Sequence, residues 1–195
     1  LPVYERLGDV RSRAVTMGQI ADILTTRGQT DEALRIRREE ELPVYERLGD
    51  VRSRAVTMGK IADILTTRGQ TDEALRIHIE ECLPAAQEMQ DLEGIAHVRF
   101  SCATIRLNRG GLETGEADTI AAEVAESFSL LCKVGRADGI AVVGQLFGQI
   151  LAAGGRKDEA LAVLDQAAEA FTILKDTESV EEIRALQAFI REIMA

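Results

Sequence analysis

The stretch LPVYERLGDVRSRAVTMG at residues 1–18 begins again, letter for letter, at residues 42–59. A fixed period of this kind is the signature of a repeat architecture, in which each unit buries its apolar face against the next. Residues 1–41 and 42–82 differ at four positions only: Gln19/Lys60, Arg37/His78, Arg38/Ile79 and Glu41/Cys82. Three of the four fall on one stretch that leads into a third Leu-Pro at Leu83 and Pro84, so that Pro2, Pro43 and Pro84 share one spacing.

Within a unit, Val10, Ala14, Met17, Ile20, Ala21 and Leu24 follow the i, i+3, i+4, i+7 stripe of an amphipathic helix. Gly28 ends it, because the residue past a helix end commonly adopts a left-handed conformation that only glycine takes without a Cβ penalty. Gly69, Gly110 and Gly155 read as equivalent caps. A second helix comes after each turn, with Thr30 or Thr71 as its expected cap and Asp31, Glu32, Asp72 and Glu73 at its positive end. These second helices run to about Leu7, Leu48, Met89, Val134 and Leu174, and Gly8, Gly49 and Gly135 close three of them. Pro43 and Pro84 lie inside them, and the lost hydrogen bond, at a cost of about 3 kcal/mol, predicts a kink or break near Leu42 and Leu83. The spacing from Gly110 to Gly155 is 45 rather than 41, which places four extra residues in or beside that unit's second helix, making it longer or bulged. Residues 177–195 read as an amphipathic C-terminal capping segment with a capping box at Ser179 and Glu182.

The 195 residues, 46% hydrophobic and 29% charged, have enough apolar surface for a continuous core. The net charge is -10, of which -8 falls after residue 82, and a surface of that sign repels phosphate backbones and anionic lipid headgroups. Neither nucleic acid nor a membrane is therefore an expected partner. Cys82, Cys102 and Cys132 are odd in number and lack metal-ligand spacing, so a reducing, cytoplasmic compartment is expected. Cys102 and Cys132 read as buried hydrophobes and Cys82 as the more exposed. The uncharged run at residues 139–155 is short for a bilayer span and reads as a core helix, with Gly144 and Gly148 as close-packing positions. The chain opens at Leu1 within a repeat, as a piece of something longer would.

The turn Gly28-Gln29-Thr30-Asp31 followed by Glu32-Ala33, and again residues 155–160, resemble the turn of the tetratricopeptide repeat. A small residue seven before the glycine and an alanine five after it fit that family at Ala21 and Ala33, at Ala62 and Ala74, and at Gly148 and Ala160. The unit is longer than the usual one, and its Leu-Gly-Asp-Val-Arg joint is similar to extended units of large bacterial signalling ATPases and caspase-like protease assemblies. The third unit departs from the pattern, with Arg99 and Arg106 where Met58 and Leu65 stand and Gly115 where Ala74 does. The resemblance implies an all-α, right-handed superhelix of antiparallel helix hairpins, about nine helices in one solenoid. Its expected divisions are 1–8, the end of a preceding unit's second helix; 9–49; 50–90; 91–135, carrying the insertion; 136–176; and a capping helix at 177–195.

The same resemblance implies a concave groove lined by the first helices, binding a peptide or partner helix. Its groove positions fall on Asp22, Thr25 and Thr26, on Asp63, Thr66 and Thr67, on His97, Phe100, Thr104 and Asn108, and on Gln145 and Gln149. Val15, Gly18, Val56, Gly59, Leu107, Val142, Ala152 and Ala153 complete those rows. No catalytic, cofactor or metal residue is expected. Asp22 and Asp63 stand a repeat apart, too far for joint acid-base work, and neither His78 nor His97 has a second ligand at helical spacing. The chain carries no phosphate-binding loop, zincin motif or nucleophile elbow. A non-enzymatic interaction scaffold in a larger bacterial regulator is the leading reading, and self-association or a spacer role is the alternative.

Overall fold

The computed structural model describes residues 2–193, and among them every regular element is helical. Leu1, Met194 and Ala195, the ends of the expected repeat and cap, lie outside the described residues. The helices are α1 (Pro2–Leu7), α2 (Val10–Thr26), α3 (residues 30–48), α4 (Val51–Thr67), α5 (residues 71–88), α6 (Leu92–Asn108), α7 (Ala117–Val134), α8 (Ala137–Ala153), α9 (Lys157–Leu174) and α10 (Thr177–Ile193). The chain forms two compact bodies that divide between Asp91 and Leu92. In each, a helix packs on its neighbour in the chain, as a hairpin repeat requires.

The expected break at the prolines does not occur. In α3 the five residues Arg37–Glu41 form a π turn, with the Leu42 amide donating to the Arg37 carbonyl, and Leu42 itself is right-handed helical at φ -55° and ψ -47°. His78–Cys82 does the same in α5. Pro43 has no N–H to give and its ring would meet the carbonyl four residues back in an α-helix. A preceding turn of wider i→i+5 bonding accommodates that ring without interrupting the rod.

The turn glycines behave as expected: Gly28, Gly69, Gly110 and Gly155 have φ of 75°, 76°, 82° and 75°. The N-caps do not. Thr30 and Thr71 are already the first helical residues, and Gln29 and Gln70 cap without a side-chain bond. Caps with side-chain bonds sit instead at the other joint, where Asp9 and Asp50 each accept from the amide of the serine three residues on, at 3.0 Å. Asp176 accepts from the Ser179 amide at 3.1 Å, so that Asp176, not Ser179, caps α10.

The third unit keeps its register: Ala96, Val98, Cys102, Ala103 and Ile105 are buried, and 41 positions earlier Thr57, Ile61, Ala62 and Ile64 are buried too. The extra residues lie in the turn rather than in the helix. Residues 109–116 connect α6 to α7 where 27–29 and 68–70 suffice earlier, and α7 is an α-helix of 18 residues without a π turn. Ile120, four past the cap Glu116, therefore takes the buried place that Ala74 holds four past Gln70, and Gly115 remains in the turn. Arg99 and Arg106 are accommodated by acids on α7: Arg99 pairs with Glu126 at 2.8 Å, and Arg106 with Glu123 at 3.3 Å.

Two further expectations are corrected. Cys82 is buried and Cys132 is exposed. The π turn directs Cys82 inward onto the Ala55 carbonyl at 3.7 Å, while Cys132 stands on the outer side of α7, 3.6 Å from Gln166 Oε1. Gly144 and Gly148 are close-packing positions, since a Cβ on Gly144 would lie 2.9 Å from the Phe128 ring and one on Gly148 2.5 Å from Leu164 Cγ. No helix among the described residues is long and apolar enough to cross a membrane.

Candidate interaction surfaces

In the N-terminal body, α2 and α4 present the same side chains one period apart, and a cleft of about 350 Å³ opens between them, lined by Asp22, Thr25, Thr26, Arg37, Lys60, Asp63 and Ile64. Four of the expected groove residues thus meet in one place. Thr66 and Thr67 are not among its lining residues. The threonines have already committed their protons: Thr25 donates to the Ala21 carbonyl at 2.8 Å and Thr26 to the Asp22 carbonyl at 3.0 Å. Thr66 and Thr67 bond the carbonyls of Ala62 and Asp63 in the same way. Only lone pairs remain for a ligand, so these rows accept hydrogen bonds rather than donate them.

Asp22 is engaged within the chain as well. It accepts from Arg37 at 2.7 Å and lies 3.6 Å from Lys60 Nζ. Arg37 is 2% exposed and also donates to Glu41 at 2.7 Å, and Glu41, 7% exposed, accepts from the Thr57 hydroxyl at 3.1 Å. Burial pushes the Glu41 carboxyl above the usual glutamate range, while Arg37 and Thr57 pull it back. Gly18, a groove position by the repeat pattern, is buried instead, and a Cβ there would stand 2.6 Å from Glu41 Oε1. Gly59 is different, because the shorter Cys82 occupies that place and its sulfur is 4.0 Å away. Arg37, Lys60 and Glu41 join this surface without any signal from the groove pattern, although three of the four differences between the copies are these positions.

The C-terminal body has a second cleft, of about 390 Å³, between α6, α7 and α8. His97 and Phe100 line it with Leu131, Val142 and Val143. Val142 is 51% exposed, Phe100 packs its inner edge on the core, and His97 stands at the surface. Arg136 closes one end: it grips Asp138 through Nε at 3.0 Å and Nη2 at 2.7 Å, and its Nη1 bonds Glu93. The result is an apolar floor beside a charged rim. Thr104, Asn108, Gln145 and Gln149 do not line this cleft, and Thr104 donates to the Ser101 carbonyl at 3.0 Å. No spacing rule could have paired Glu93 with Arg136, which are brought together by the packing of α6 and α8 on α7.

Among the described residues no group of three His, Cys, Asp or Glu side chains could hold a metal ion. Burial pushes the Cys102 thiol up to about 12, so it stays protonated at neutral pH.

No family model and no curated protein matches the sequence. Solved structures do match the fold. A kinesin light chain-like protein from Podosopora anserina with nearly identical TPR-like repeats is 16% identical over 91% of this chain and 96% of its own, with a TM-score of 0.61. BtubC (BKLC) from P. vanneervenii is 15% identical over 98% of this chain and 84% of its own, at 0.64. MamA protein is 14% identical over 92% and 87%, at 0.54. At such identities the likeness is one of architecture, and it agrees with the turn glycines, the small buried residues and the paired helices: the chain has the fold of the tetratricopeptide-like repeat proteins.

Proposed function

We propose that the chain is a protein-interaction scaffold that binds a peptide or partner helix along the groove-facing sides of its first helices, as the repeat region of a larger bacterial regulatory protein. The observation that carries the reading is the cleft of the C-terminal body, where exposed Val142 and half-buried Phe100 lie open beside His97 and the Glu93–Arg136–Asp138 cluster. An apolar anchor on the ligand would fill the floor, and a charged or amide group would meet the rim. The N-terminal cleft contributes acceptors: Asp63, the threonine lone pairs and the outer oxygen of Asp22. A ligand with donors, such as a lysine, arginine or backbone amide, suits it.

The test is selection of peptides on the full chain, with titration of those selected. Val142→Lys is expected to weaken cleft binders at least tenfold with the helical circular dichroism unchanged. Asp63→Lys with Thr66→Arg should do so for peptides held by the N-terminal body. Unchanged affinity of every selected peptide for both variants contradicts the groove reading.

A further inference from the structure

The cleft of the C-terminal body joins an apolar floor to a rim on which carboxylates outnumber cations. Val142 is 51% exposed and Phe100 half-buried, and Glu93, Arg136 and Asp138 stand at the edge. Arg136 commits three N–H groups to these acids: Nε and Nη2 to Asp138, and Nη1 to Glu93 Oε1. One guanidinium thus serves two carboxylates. Its bonds hold the Asp138 carboxyl below the usual aspartate range, so Asp138 is charged at neutral pH. Glu93 bonds Arg136 through Oε1 alone, which leaves Oε2 as an acceptor.

Donors for an incoming anion are scarce by comparison. The Ser127 hydroxyl, in the cleft wall, already donates to the Ala96 carbonyl at 2.8 Å. A carboxylate reaching Arg136 would stand beside both acids, and like charges at such range repel. Glu93 and Asp138 belong to the first turns of α6 and α8, whose positive ends offset part of the rim's charge, about half a unit each. The wider field adds to the acids, because residues 92–195 carry 10 basic and 16 acidic side chains, a net charge of -6.

On the groove reading above, we propose that this cleft seats one long cationic side chain of a partner protein, an arginine above all. Arginine is apolar along its stem and charged at its tip, so a single residue covers Val142 and Val143 while its guanidinium reaches Glu93 Oε2. The flat face of that group also suits the Phe100 ring, whereas the compact, strongly hydrated ammonium of lysine fills the same place less well. Arg136 competes with the ligand for Glu93, which makes it a brake on binding rather than an anchor.

The test titrates the full 195-residue chain with a capped five-residue peptide of glycine and serine around one central residue, which is arginine, lysine, citrulline or norleucine. The methyl resonances of Val142 and Val143 report binding. Saturable shifts are expected with arginine, and affinity should fall at least fivefold for citrulline, its uncharged isostere, and for norleucine. Glu93→Gln should weaken the arginine peptide at least fivefold and Arg136→Gln should strengthen it at least twofold, with the helical circular dichroism of both unchanged. Citrulline binding as tightly as arginine overturns the proposal, as does a loss of binding on Arg136→Gln or a failure of the arginine peptide to saturate. Selected peptides that lose affinity on Val142→Lys but carry no cation would overturn it while leaving the groove reading intact.

Discussion

Asp9 and Asp50 cap their helices through the same 3.0 Å bond to the amide three residues on, yet Ile23 and Ile64, equally identical in sequence, are half exposed and buried. The two copies thus separate two kinds of determinant. Caps, turn glycines, back-bonded threonines and the π turn before Leu42-Pro43 and before Leu83-Pro84 recur unchanged, because each is satisfied within a few residues of itself. Burial does not recur, because it belongs to the neighbour. Where the copies differ in sequence, they differ at that boundary: Arg37 and Glu41 form a buried pair that extends to Asp22 and Thr57, and the second copy places His78 and Cys82 there.

The largest contrast is expected at the isoleucines. Ile64→Ala should cost about 2–5 kcal/mol, the range for truncating a fully buried aliphatic chain, and Ile23→Ala less than about 1 kcal/mol. Urea denaturation of the two variants measures both, and equal losses would erase the distinction between the copies. Next comes the buried pair. Glu41→Ala leaves Arg37 buried with Asp22 as its remaining acid, and about 3 kcal/mol should be lost. Introducing the second copy's set, Arg37→His with Glu41→Cys, should restore most of it, which a double-mutant cycle would read directly.

A smaller effect with opposite signs is expected at the helix glycines. Gly59→Ala meets nothing closer than 4.0 Å and should stabilise by about 0.5–1 kcal/mol through helix propensity, whereas Gly18→Ala drives a methyl against Glu41 and should destabilise. Thermal midpoints of the two variants would show it, and adding Glu41→Cys to Gly18→Ala should turn its sign. The cap is of similar size. The Ser53 amide and hydroxyl, with Arg11 beyond them, hold the Asp50 carboxyl below its usual range. Its contribution is therefore present above the ordinary aspartate range and is lost as pH falls through the lowered value. Asp50→Ala should cost about 1 kcal/mol at neutral pH. The difference from the parent should disappear on acidification. Glu41 runs the other way, since its raised carboxyl is relieved of its burial cost as it protonates.

Much of the fold was legible for the reason the copies agree. A glycine at the right place announces a turn through its own backbone, and the small residues Ala21, Ala33, Ala62 and Ala74, all 0% exposed, announce close helix approach. The third unit's register was not legible, because Arg99 and Arg106 interrupt the stripe and find their acids, Glu126 and Glu123, only across the packed helices. What sequence did not reveal depends on contacts made across the chain or on a choice between local solutions. Pro43 predicts trouble for an α-helix, but the spacing does not say which local solution is taken, a break or a π turn, and the structure takes the π turn. Thr30 is a good cap residue one position too late. The four extra residues could have lengthened α7, and they extend the turn because Ile120 then reaches the core. At the surface, the repeat period alone makes Asp22 and Asp63 neighbours, but Arg37 and Lys60, which engage Asp22, were visible only as differences between the copies.

That neighbours rather than local sequence set the order of each copy is tested most directly by native-state hydrogen exchange on the intact chain, comparing residues 16–27 with residues 57–68. Their sequences match at every position but Gln19/Lys60, so intrinsic exchange rates largely cancel. Protection at least tenfold higher over residues 57–68 is the expected result. Equal protection in the two segments would mean that the repeat carries its stability within each copy, and would contradict it.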